Sequence, residues 1–191
     1  MRNSKLLPLF GFAFLAGCVS VKSIDADKQV AVGDGISVAP QVQWASVSLP
    51  GEKSLLWTLD GIGLDELHFY MGIVPGSPLM RVPGKSDAEI GTYAATMLPN
   101  DVMDLLASTM EKRGYQAVHA SGLTPVSFGS RQGFRFHLAF SSGSGLEMEG
   151  TALAIKQDGR LDLILFIAPT EYYFAHCQPI VDKVFASVQV G

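Results

Sequence analysis

Gly133-Phe134-Arg135-Phe136-His137-Leu138-Ala139-Phe140 decides the fold. Successive side chains of an extended chain point to opposite faces. Phe134, Phe136, Leu138 and Phe140 therefore share one side, and Arg135, His137 and Ala139 share the other. Downstream, residues 146–155 read as a second strand that turns at Gln157-Asp158-Gly159. Residues 161–168 read as a third, apolar on both faces apart from Asp162, as expected of a central strand covered on both sides. Upstream, residues 29–32 and 36–38 flank the turn Gly33-Asp34-Gly35. Residues 41–47 alternate Val42 and Trp44 with Gln41 and Gln43, and residues 55–59 end at Asp60-Gly61. Leu67, Phe69 and Met71 alternate with Glu66, His68 and Tyr70.

Two segments have helical spacing. Over 99–113, Val102, Leu105, Leu106 and Met110 fall on one face, Pro99 suits the first turn, and Gly114 suits a stop after Lys112-Arg113. Over 178–188, Pro179 suits the first turn, and Ile180, Val181, Val184, Phe185 and Val188 form an apolar stripe. Residues 73–97, rich in proline and glycine, show no sustained period, and long connections of this kind are often functional or mobile. The expected fold class is α+β: an antiparallel sheet with packed helices.

Composition narrows the function. The chain has 191 residues, 48% of them hydrophobic and 17% charged, which is too apolar for a disordered polymer. A formal charge of −4 argues against a general phosphate-binding surface, so no nucleic-acid partner is expected. Two cysteines cannot build a disulfide framework or a four-thiolate zinc site.

The amino terminus is specific. Arg2 and Lys5 precede the apolar run Leu6 to Phe14, which is too short to span a bilayer, and the run leads into Leu15-Ala16-Gly17-Cys18. This resembles the lipobox of bacterial lipoproteins. The resemblance implies cleavage before Cys18, acyl chains on its thiol and new amino terminus, and a durable membrane anchor. Loss of Arg2 and Lys5 would make the formal charge two units more negative. Val19, where an Asp would mark inner-membrane retention, implies outer-membrane sorting. The expected organisation is a signal peptide over 1–17, a lipidated tether over 18–28 and one α+β domain over 29–191.

A second resemblance covers much of the remainder. Trp57-Thr58-Leu59-Asp60-Gly61, Leu64, Leu67-His68-Phe69-Tyr70, Gly72-Ile73, Gly76 and Gly133-Phe134-Arg135-Phe136 look like proteobacterial envelope lipoproteins. The carboxyl-terminal half is similar in pattern to the PsbP-like and DcrB-like α/β/α fold. There a long hairpin of strands precedes a last helix with a short tail, here Phe185-Ala186-Ser187-Val188. That fold implies accessory and binding roles, by analogy alone.

Motifs for chemistry are incomplete. Gly129-Ser130-Arg131-Gln132-Gly133 does not fit a nucleophile elbow. Gly61-Ile62-Gly63 lacks the third glycine of a dinucleotide fingerprint, and Gly84-Lys85-Ser86 lacks the glycine that a phosphate loop needs where Leu79 stands. His68, His119, His137 and His176 have no metal-ligand spacing; no cofactor or metal is expected. His68 and His137 read as partly covered strand residues, and Cys177 as a buried thiol at a helix start. Asp65-Glu66 and Glu147/Glu149 read as solvated faces. Tyr172-Tyr173-Phe174 reads as packing beneath the last helix. Arg135 and His137, sharing a strand face, form with Asp60 or Asp162 the candidate ligand or partner patch.

The leading expectation is a non-enzymatic, lipid-anchored periplasmic module, facing the periplasm from the outer rather than the inner membrane, with an envelope protein as partner. The alternatives are an envelope hydrolase with a dispersed site, which needs an acid and a nucleophile converging on His137 or His176, and a carrier of an apolar ligand.

Overall fold

The computed structural model describes residues 20–48, 54–129 and 131–191. The leader and the lipobox with Cys18 lie outside the described residues. An eight-stranded antiparallel sheet runs through the molecule in the order β1-β4-β5-β6-β10-β9-β8-β7. Its strands are β1 (Ser20–Ile24), β4 (Trp44–Ser48), β5 (Leu55–Thr58), β6 (Glu66–Ile73), β7 (Gln116–Phe128), β8 (Arg131–Ser141), β9 (Glu147–Gln157) and β10 (Arg160–Pro169). A small sheet joins β2 (Val30–Gly33), β3 (Ile36–Val38) and β11 (Gln189–Val190) in the order β11-β3-β2. The helices are α1 (Asp87–Ile90), α2 (Pro99–Lys112) and α3 (Ala175–Ala186).

Alternation on β8 sets the layers. Phe134, Phe136, Leu138 and Phe140 pack with Val102, Leu106 and Met110 of α2, and with Leu163 and Leu165 of β10. The opposite face of β9 and β10 supplies Leu153, Ile155, Ile164 and Phe166, which pack with Val181, Val184 and Phe185 of α3. β10 is covered on both faces, as its unbroken apolar run requires. Burying each large apolar side chain is worth roughly 1.5–3 kcal/mol. The result is an α/β/α sandwich of the expected α+β class. Among the described residues, no helix is long and apolar enough to cross a membrane.

Several expectations need correction. Ser20–Ile24, expected within a tether over 18–28, is an edge strand paired to β4 from Ser20↔Ser48 to Ile24↔Trp44, so the sheet begins before Gln29. Its short sequence, exposed up to Ile24 and carrying Lys22, suits an edge and leaves no core period to read. β7 carried no strand reading at all. Two register breaks, with Ala117 at φ +52° and Gly122 at φ +67°, twice reset its alternation. α3 begins three residues before Gln178, so Pro179 is its fifth residue rather than its first turn. Residues 73–97 form a strap whose Leu79, Met80, Ile90 and Tyr93 are buried, with α1 capped by Ser86 and Glu89.

Candidate functional site

Arg135 and His137 share the α3 face of β8, as the alternation predicts. Arg135 Nη2 donates to Asp182 Oδ1 on α3 at 2.6 Å, and its guanidinium lies 5.7 Å from the centre of the Phe185 ring. One turn earlier on α3, Gln178 Nε2 donates to the same Asp182 oxygen at 2.7 Å, and Thr151 Oγ1 of β9 donates to Gln178 Oε1 at 2.9 Å. Thr151 is the register partner of His137. His137 Nε2 meets Glu149 Oε2 at 2.9 Å, with Phe174 edge-on to its ring at 5.6 Å. A continuous polar row thus runs Glu149–His137, Thr151–Gln178, Asp182–Arg135.

The row ends in a groove of about 460 Å³, half open to solvent, between the β7–β8 hairpin and the last turns of α3. Val126, Phe128, Leu153, Phe185 and Val188 supply apolar walls, and Arg135, Asp182 and Ser127 supply polar side chains to the lining. Arg135 keeps 36% of its side-chain surface in solvent, so the pair is weakly worth holding for stability alone. A partly exposed guanidinium framed by apolar walls can receive a carboxylate or phosphate oxygen while the walls take an apolar group.

The other two members of the predicted patch do not join. Asp162 lies on the same face two strands away, buried. It accepts the Gly72 N–H at 2.7 Å and a Gln157 Nε2–H at 3.2 Å. Asp60 is exposed at the opposite end of the sheet, beside Asp65.

Sequence reasoning missed the environment of Asp65. Read as solvated, it is fully buried. Its carboxylate accepts the Thr58 hydroxyl at 2.5 Å and the backbone N–H groups of Leu59 and Asp60 at 2.6 and 2.9 Å, closing the loop between β5 and β6. Burial raises its pKa above the usual aspartate range despite these donors. Cys177 is buried with its Sγ 3.9 Å from Asp65 Oδ2. Burial, and then the charges of Asp65 and Asp60, push its thiol up to about 12. Asp60, Asp65 and Cys177 offer ligand atoms within 4.8 Å of one another. A protonated thiol and a carboxylate already saturated by donors match a structural anchor better than a metal or nucleophile site.

Glu66 and Glu149, also read as solvated, each pair with a histidine: Glu66 Oε2 lies 2.7 Å from His68 Nε2. Burial pushes the Glu66 carboxyl up, but the His68 bond and charge and the Gly63 N–H together hold it below its usual range. Tyr172, expected in the core, is 64% exposed with φ +70° and stacks on the exposed His176, whereas Phe174 packs on Phe166. His137 meets an acid. The neighbouring Thr151 hydroxyl is committed to Gln178, so no nucleophile bonds to His137 among the described residues.

No family model and no curated protein matches the chain. Among solved structures, the chain is similar to PsbP (CyanoP) of Synechocystis sp. PCC 6803, at 15% identity and a TM-score of 0.56, over 95% of this chain and 99% of that one. The fold is therefore PsbP-like. LpqN of Mycobacterium tuberculosis, described as involved in cell envelope biogenesis, aligns over 90% of this chain and 91% of its own at 7% identity. Its TM-score of 0.37 is too low to bear on function.

Proposed function

We propose that this chain is a lipid-anchored binding module of the bacterial cell envelope, held by acyl chains on Cys18, facing the periplasm from the outer membrane, and engaging an envelope protein through the Arg135 groove. The observation that carries the binding reading is the half-open, apolar-walled groove with a half-exposed guanidinium in its lining. The leader Arg2 to Cys18 supports the anchor. A catalytic role has less support: the one buried thiol is held protonated, and the His137–Glu149 pair has no nucleophile bonded to it among the described residues.

The test is photo-crosslinking in intact envelopes. A photoreactive residue in place of Ala186, which lines the groove and is exposed, should give a discrete protein adduct; one in place of Asp104, exposed on α2, should not. Adding Arg135→Gln should weaken the Ala186 adduct several-fold. Equal labelling from both positions, or an adduct indifferent to Arg135→Gln, would defeat the groove as the partner surface.

A further inference from the structure

We propose that a second groove, on the α2 face of the β7–β8 hairpin, binds a long-chain fatty acid, with Lys156 holding the carboxylate. The groove has a volume of about 410 Å³ and is half open to solvent, within the range of small-ligand sites. Alternation along β8 separates it from the Arg135 groove. Gln132 and Phe134 belong to the α2 face, and Arg135 to the α3 face. The register break in β7 between Ser121 and Thr124 brings Leu123 and Pro125 to the α2 face as well, with Pro125 opposite Phe134. Pro99, the first residue of α2, and Lys156, near the end of β9, complete the walls.

Charge decides the ligand. Lys156 Nζ donates to the carbonyls of Ala95 and Met97 at 2.9 and 2.8 Å. These bonds fix the half-buried ammonium at the groove wall and leave its third N–H without a partner among the described residues. Among those residues no acidic side chain pairs with it, whereas Arg135 already has Asp182 at 2.6 Å. Asp101, the acid in the first turn of α2, does not line the groove and turns back to accept the Leu98 N–H at 2.7 Å. The exposed amide of Gln132, which makes no hydrogen bond among the described residues, supplies a second donor to the lining. An ammonium and an amide suit the two oxygens of a carboxylate, while a phosphate dianion has more acceptors than these donors can meet. Pro99, Leu123, Pro125 and Phe134 take the hydrocarbon chain. Leu98, the residue before Pro99, is 67% exposed and adds apolar surface at this end of α2.

The test uses the full chain in phosphatidylethanolamine vesicles, exposed to hexadecanoic acid carrying a diazirine at its methyl end. After illumination, fragment mass spectrometry assigns each adduct to a residue. Adducts should fall on Leu123, Pro125 or Phe134. The methyl ester of the same probe, which lacks the charge, should label these residues several-fold less. Lys156→Gln should reduce labelling by the acid several-fold, and Lys156→Arg should keep most of it. Leu123→Trp fills the groove and leaves Lys156 in place, so it tests the site even if Lys156→Gln loosens the segment held at Ala95 and Met97; it too should remove most of the adduct. Equal labelling by acid and ester, or labelling indifferent to both Lys156→Gln and Leu123→Trp, overturns the site. Adducts at Phe185 or Val188 instead would assign the fatty acid to the Arg135 groove and overturn the Lys156 site.

Discussion

A carboxylate taken out of water is tolerated when donors surround it, and Asp162 shows how narrow that tolerance is. Gly72, at φ +66° opposite a register break in β10, aims its N–H at Asp162 Oδ1, a conformation that glycine reaches without strain. Burial still raises the Asp162 pKa above the ordinary aspartate value of 3.8, outweighing the Gly72 and Gln157 bonds. The sign follows from proton binding. Between the unfolded and folded pKa values the native state holds more protons than the unfolded chain, so stability falls as pH rises through that window. Above the folded value the full penalty of an ionised buried Asp162 is present. Asp162→Asn keeps the acceptor for Gly72 and can receive a turned-over Gln157 amide, without the charge. Relative to wild type, its urea midpoint should therefore rise between about pH 3.5 and 7. Glu66 and Glu89, whose lowered values act in the opposite sense, are common to both proteins and cancel. A midpoint difference that does not change with pH would show that the Asp162 charge is not strained.

The elements succeed or fail by how closely the chain approaches itself. At Gly150 in β9, an added Cβ would come 2.7 Å from the Phe166 carbonyl oxygen of β10 and 3.1 Å from Ile167 Cγ2. Backbone of a central strand cannot give way cheaply. Gly150→Ala should lower stability by about 1–3 kcal/mol in urea unfolding while leaving the far-ultraviolet dichroism of the native state unchanged. An unaltered midpoint would mean that the two strands are looser than their register implies. The same closeness explains what could be read beforehand. β8, β9, β10 and α2 were legible because each buries at least one uninterrupted face, as Phe134, Phe136, Leu138 and Phe140 do. β7 was not, since its bulges break the period and most of its residues are exposed. The shared face of Arg135 and His137 was readable from spacing alone. Their partners Asp182 and Glu149 were not, because α3 and β9 meet β8 only after the sheet is assembled. Asp65 hid behind its charged neighbour: Asp65-Glu66 looks solvated until Thr58, Leu59 and Asp60 curl back as donors.

At the scale of the molecule, the position of the groove couples anchoring to binding. Arg135 lies four residues along β8 from Arg131, about 13 Å from the β7–β8 turn at strand spacing. On a lipid-anchored domain, the groove stays close to the bilayer surface. A partner resident in the same membrane meets it at an effective concentration set by the surface, a gain that needs no new contact. A partner free in the periplasm receives no such gain. Cys18→Ser discriminates between the two. It should abolish fatty-acid labelling and detergent partitioning while leaving the urea midpoint unchanged, because the apolar residues of both cores fall within residues 24–190. With a membrane-resident partner, the adduct from a photoreactive residue at position 186 should then fall at least tenfold although the groove is intact. With a soluble partner the adduct should persist. Unchanged detergent partitioning of Cys18→Ser would remove the anchor, and with it the reason for any coupling.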